Sequence, residues 1–178
     1  RRCCAVRRLL CCALASTGIL VYDQDKTKPV LAVGDVINLV DVEFTEFNNM
    51  TEVVLRTATV IEPVSTGATV EITAIAAADL LADSEAYESV LVSLNDASLT
   101  VKNLNPDDGT PADPTNDGAP DYGEYTIGDG VSELRVNDIL FQTRTGKVRD
   151  QALTTRAGVL EFANGNFKLE PRAAADMQ

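Results

Sequence analysis

The chain has 178 residues, 45% of them hydrophobic, which is enough for one ordinary core or two very small ones and lies outside the disordered range. A formal charge of -12 and a pI of about 4.3 make a mean surface field that repels phosphates and anionic headgroups, which argues against tight non-specific DNA binding. The absence of histidine removes the usual general base and the commonest metal ligand, and the absence of Trp with only 5% aromatic residues leaves few platforms for stacking bases or sugars.

The first 17 residues form a distinct segment. A basic head (Arg1, Arg2, Arg7, Arg8) precedes a short apolar run from Leu9 and the small-x-small pattern Ala13-Leu14-Ala15, the layout of a degenerate export signal. The run is too short to span a bilayer, so no transmembrane segment is expected. A short helix or strand packed on the fold is the competing reading, and both stay open. The chain begins without Met and is expected to start inside a longer reading frame. All four cysteines sit here as vicinal pairs, Cys3-Cys4 and Cys11-Cys12, a spacing that fits zinc poorly; disulfide pairing and plain thiols both remain.

An incomplete β-rich half is expected over 18–75. Gly18 to Asp23 is a short β run and Asp35 to Glu46 a longer one, separated by turn residues at Lys28-Pro29 and Val33-Gly34. Asn48-Asn49 predicts a tight turn into Thr51 to Leu55. Thr57 to Ile75 continues as β-prone sequence broken at Pro63 and Gly67. The Ala- and Leu-rich run 76–87 is the one credible helix, a connector between two halves.

A second half is expected over 88–172, with 173–178 as a polar tail. Ser89 to Val101 reads as one long or bulged strand around Asn95-Asp96, Glu124 to Asn137 as a hairpin turning at Gly128-Asp129-Gly130, and Leu153 to Phe162 as a strand turning at Asn164-Gly165 into Asn166 to Leu169. Between them lies an acidic loop, 103–123. Within it Asp113, Asp117 and Asp121 approximate a D-x-[DN]-x-D-G-x-x-D calcium loop, with Gly118 for the turn, although Thr115 stands where Asp or Asn is usual. A solvated acidic loop is the alternative. Adjacent acids elsewhere, such as Asp83 with Glu85, read as solvated charge, and no P-loop, nucleophile elbow or dinucleotide fingerprint is present, so no catalytic residue is assigned.

Shifting the chain on itself by 115 residues places Val21-Tyr22-Asp23 on Val136-Asn137-Asp138, Val33-Gly34-Asp35 on Val148-Arg149-Asp150, and Glu46-Phe47 on Glu161-Phe162. The second copy has an opening strand before its hairpin and the first does not. Residues 1–17, a partner chain, or further upstream sequence are the candidates to fill that gap.

The stretches ESVLVSL, YGEYTIGDGVSELRVND and AGVLEFANGNFKLEPRAAAD resemble the oligonucleotide/oligosaccharide-binding (OB) fold-like domains of large secreted bacterial proteins, which accompany extracellular nuclease, lamin-tail or adhesive modules. GILVYD through TEFNNMTEV is similar to a second, incomplete member. The resemblance implies an all-β fold of OB-like Greek-key barrels, two tandem halves with the first incomplete. It also implies a secreted or cell-surface location and other domains of a larger protein as partners. In such folds a ligand face comprising Arg135, Phe162, Phe167 and Lys168 is one reading; core packing of the two Phe residues is the other.

The expected function is therefore a non-catalytic extracellular structural or binding module, a spacer or adhesive unit. The alternatives are a self-assembling filament subunit that donates its N-terminal strand, and a nucleic-acid-binding accessory to a secreted nuclease. Ca2+ is the only cofactor expected.

Overall fold

The computed structural model of the protein describes residues 3–6, 9–12, 17–107 and 122–178. It is mostly β-sheet with one α-helix, and the chain divides into two compact units, Arg1–Thr73 with Glu85–Leu91 and Ala74–Ser84 with Val92–Gln178.

The first unit holds β1 (Cys3–Val6), β2 (Leu9–Cys12), β3 (Gly18–Asp23), β4 (Val36–Val40), β5 (Glu43–Phe47), β6 (Met50–Leu55) and β7 (Val60–Ser65). They form one sheet in the order β5-β6-β3-β2-β1-β4-β7. β1 and β2 pair with each other, with β4 on one side and β3 on the other, so the N-terminal segment completes the sheet of its own chain. Asn48 and Asn49 both take positive φ, the backbone of a two-residue hairpin turn that Asn tolerates, and Phe47 pairs with Met50 across it. Val21, Ile37, Val53 and Leu55 make the core. The strand β7 runs through Pro63 rather than breaking there, because β7 is an edge strand where a missing N–H costs nothing.

Apart from the end residues Thr73 and Leu91, the second unit holds β8 (Thr73–Ile75), α1 (Ala77–Ala82), β9 (Leu91–Leu94), β10 (Thr100–Asn103), β11 (Tyr125–Gly128), β12 (Glu133–Val136), β13 (Ala157–Ala163) and β14 (Asn166–Glu170), in the sheet order β10-β11-β12-β14-β13-β9-β8. Leu91, Val92, Ile127, Val159, Leu160 and Leu169 are fully buried. The helix is shorter than the Ala- and Leu-rich run predicts. Its N-terminus borrows a cap from Asp96, whose Oδ2 accepts the Ala77 N–H at 2.7 Å, and it ends where the Ser84 hydroxyl donates to the Leu80 carbonyl, leaving a 3-10 turn over Ser84–Tyr87. The last strand before the closing hairpin starts at Ala157 rather than Leu153. Residues 173–178 are not a free tail: Met177 is buried, and the Thr155 N–H donates to the Gln178 carbonyl.

One strand path occurs twice. In each unit an antiparallel three-strand meander (β1-β2-β3; β10-β11-β12) is followed by a hairpin (β5-β6; β13-β14) whose second strand returns parallel to the third meander strand. The registers correspond: Leu20 opposite Glu52 becomes Arg135 opposite Lys168, and Phe47 opposite Met50 becomes Ala163 opposite Asn166. The shift of 115 that relates Leu20 to Arg135 becomes 116 at the hairpin (47 to 163, 50 to 166). Even the β1–β4 pairing, Cys4 opposite Val36, has a counterpart in the single bridge between Thr100 and Ala152. In chain order the acidic loop joins β10 to β11 as residues 7–8 join β1 to β2.

The copies differ at one edge. In the second unit β9 lies along the outer side of β13, whereas β5 ends its sheet. Among the described residues neither sheet closes into a barrel, and no helix is long and apolar enough to cross a membrane.

Candidate functional site

The densest group of charged side chains with resolved partners lies in the second unit, at the root of the acidic loop. Glu124 stands immediately before β11, Arg135 on β12 and Lys168 on β14, and the parallel register puts Arg135 beside Lys168. Glu124 receives both cations: the Lys168 ammonium donates to its Oε1, and Arg135 Nη1 donates to its Oε2 at 2.8 Å. Arg135 Nη1 also donates to Asp107 Oδ1 at 2.6 Å, and its Nη2 reaches the Pro106 carbonyl at 3.3 Å. Two cations and two carboxylates thus balance within the fold.

Burial opposes the Arg135 charge, but hydrogen bonds and charge from Asp107 and Glu124 more than offset it, and the pKa rises above its ordinary value. Lys168 is only 2% exposed, so its ammonium would be untenable without Glu124. Arg144 Nη1 donates to the Leu104 carbonyl at 3.2 Å, while the Asp107 N–H donates to Asn105 Oδ1 at 3.3 Å. These bonds pin the first residues of the loop to the sheet.

A second group is centred on two acids. Glu170, on β14 and 1% exposed, sits diagonally across the β13–β14 pair from Glu161. Its carboxyl oxygens are buried without a hydrogen bond of good geometry, and burial, followed by the neighbouring Glu161, pushes its pKa up to about 9. Glu170 is thus a neutral carboxylic acid at neutral pH.

The sequence-derived candidates distribute as follows. Phe162 and Phe167 face each other across the closing hairpin with ring centroids 4.9 Å apart and planes tilted by 59°, both half-buried. Lys168 follows Phe167 directly, so it projects from the other face of β14, together with Arg135. The aromatic pair and the basic pair therefore do not converge on one surface. Asp113, Asp117 and Asp121 lie outside the described residues. Among the described residues no three His, Cys, Asp or Glu side chains gather as metal ligands.

Sequence reasoning missed Glu124 and Glu170. Glu124 carries the only available signal, an acid placed just before a strand whose third-strand neighbour begins with an L-R-V pattern. What the whole arrangement does chemically is hold a loop: it neutralises charge internally and fixes the loop's departure from the sheet. Comparison with known proteins returns no match, whether to family models, curated proteins or solved structures.

Proposed function

We propose that this chain is a non-catalytic extracellular structural or binding module, built of two tandem OB-like units and acting as a spacer or adhesive element. The observation that carries this reading is the strand path present twice, with matching register, in one chain. In the second unit β9 and β10 are separated only by residues 95–99 yet flank opposite ends of the four-strand series β11-β12-β14-β13. A single opening strand that borders both ends of a series is how a partly open Greek-key barrel is wound. Duplication of a module with a rigid, internally neutralised loop root fits a load-bearing or surface-presenting role better than one requiring a reactive group.

The test is binding of the whole chain to oligosaccharide and oligonucleotide arrays at about 150 mM salt. With 15 basic against 27 acidic residues, oligonucleotides are expected to bind more weakly than about micromolar, since few cations displace counterions. Saccharide or protein ligands are expected to dominate. A sub-micromolar oligonucleotide complex at that salt overturns the reading in favour of a nucleic-acid accessory domain.

A further inference from the structure

The two copies of the strand path differ at one pair of equivalent residues. Phe44 on β5 pairs with Val53 on β6, and Leu160 on β13 pairs with Leu169 on β14; both residues of the first pair map onto the second by the same 116 positions (44 to 160, 53 to 169). Paired residues share a sheet face, so Phe44 lies on the face of Val53, which belongs to the core of the first unit. Yet Phe44 is 69% exposed, while Leu160 is 0% exposed. In the second unit β9 runs beside β13 and contributes the fully buried Leu91 and Val92. Among the described residues no strand pairs with the outer edge of β5.

We propose that the outer edge of β5, together with Phe44, is an acceptor for an extended apolar β-strand from a different protein, docked beside β5 as β9 is beside β13. Three features of this edge support it. The turn at Asn48-Asn49 makes Phe47 and Met50 the hydrogen-bonded pair that closes the hairpin; alternation along the antiparallel ladder then directs the N–H and C=O groups of Phe44 and Glu46 outward. The two acids of the strand are turned to neighbours in their own unit: Glu43 accepts from Arg56 at 2.7 Å, and Glu46 Oε1 accepts the Thr51 hydroxyl at 2.5 Å. They are therefore poor guards against strand addition. The opposite edge, β7, is guarded by Pro63, and β5 has no proline. The occupant is identified by what covers the equivalent position in the second unit, an apolar strand whose Leu91, Val92 and Leu94 are all buried.

The probe is a fluorescently labelled synthetic peptide with the sequence of residues 88–96, ESVLVSLND, titrated with the full chain and read by anisotropy. Saturable binding is expected. Glu46→Pro removes one outward N–H while leaving the β5–β6 ladder intact, and Phe44→Ser removes the apolar contact; each is expected to weaken binding by about tenfold or more. Melting curves establish that both variants fold, and if Glu46→Pro does not, Phe44→Ser carries the test. Absence of saturable binding, equal binding of a scrambled peptide, or binding unchanged in the variants (as when the peptide merely replaces β9 in the second unit) overturns the proposal. So does self-assembly of the chain alone that Glu46→Pro abolishes, because the occupant would then be a second copy.

Discussion

Lys168 and Glu124 form an ion pair inside the second unit, 44 residues apart in sequence, and Arg135 holds the other oxygen of the same carboxylate. Removing Glu124 strips the buried Lys168 of the carboxylate it pairs with, and removing Lys168 leaves Arg135 alone to balance both Glu124 and Asp107; breaking a buried pair in this way costs roughly 3–5 kcal/mol. Lys168→Met alone is therefore expected to destabilise strongly. Pairing it with Glu124→Gln is expected to recover much of the loss, because Gln keeps a hydrogen bond to Arg135 without an uncompensated charge. Denaturant unfolding of both single variants and the double variant measures this. A single-variant loss under about 1 kcal/mol, the range of a surface pair, would show that the site is solvated.

Glu170 makes the stability of the second unit fall with rising pH. Its folded pKa of about 9 lies above the ordinary 4.5, so the folded protein keeps a proton that the unfolded chain releases. Stability from this group is full below about pH 4.5, is lost progressively as the pH rises, and levels off above about pH 9. Glu170→Gln removes the titration and keeps the shape. The variant is expected to melt several degrees higher than wild type at neutral pH, at about 2–4 °C per kcal/mol for a chain of this size. The difference should vanish near pH 4. Parallel melting curves across that range would count against the assignment.

Gly158 and Gly165 sit seven residues apart in one hairpin and answer to different constraints. A Cβ at Gly158 would lie 2.7 Å from the Glu170 carbonyl oxygen, a backbone atom that cannot swing aside. Gly158→Ala is expected to cost roughly 1–3 kcal/mol. Gly165 has open space around its Cα and a φ of +78°, which Asn tolerates, so Gly165→Asn is expected to cost under about 1 kcal/mol. Equal losses in the two variants would refute the close-approach account.

What could be read in the sequence was what local chemistry determines. The Asn48-Asn49 and Asn164-Gly165 turns, the two hairpins they close and the all-β class follow from turn residues flanked by β-branched and aromatic runs. The self-similarity was visible too, although a one-residue slip between 138 and 152 was not. Failures came where distant partners decide. The helix within 76–87 takes its N-terminal cap from Asp96, 19 residues on, and Pro63 stays in a strand because that strand is an edge. Lys168 looks like a surface residue in F-K-L; it is buried against a carboxylate 44 residues away, just before β11. Phe44 looks like an ordinary alternating strand residue until its counterpart Leu160 is seen covered.

The C-terminal residues offer the last prediction. Arg172 grips Asp176 with two side-chain bonds, Nε to Oδ2 at 2.9 Å and Nη2 to Oδ1 at 2.8 Å, and the Arg172 N–H adds a third at 2.8 Å. Burial works to raise the Asp176 pKa, but these bonds and the guanidinium charge more than offset it, so the folded value lies below the ordinary 3.8. The sign of the pH effect is opposite to that of Glu170: the stabilisation is present above the ordinary carboxylate range and is lost as the pH falls through the folded pKa. Asp176→Asn is expected to cost roughly 1.5–3 kcal/mol near neutral pH, the worth of hydrogen bonds to a charged group. That cost should shrink as the pH drops toward about 2, where wild type has lost the same charge. Because Asp176 precedes the buried Met177, whose carbonyl accepts from Lys147 Nζ at 2.7 Å, the variant should also expose the chain end to carboxypeptidase. An end that stays as resistant as wild type, with a stability gap independent of pH, would show that the Arg172–Asp176 clamp does not hold it.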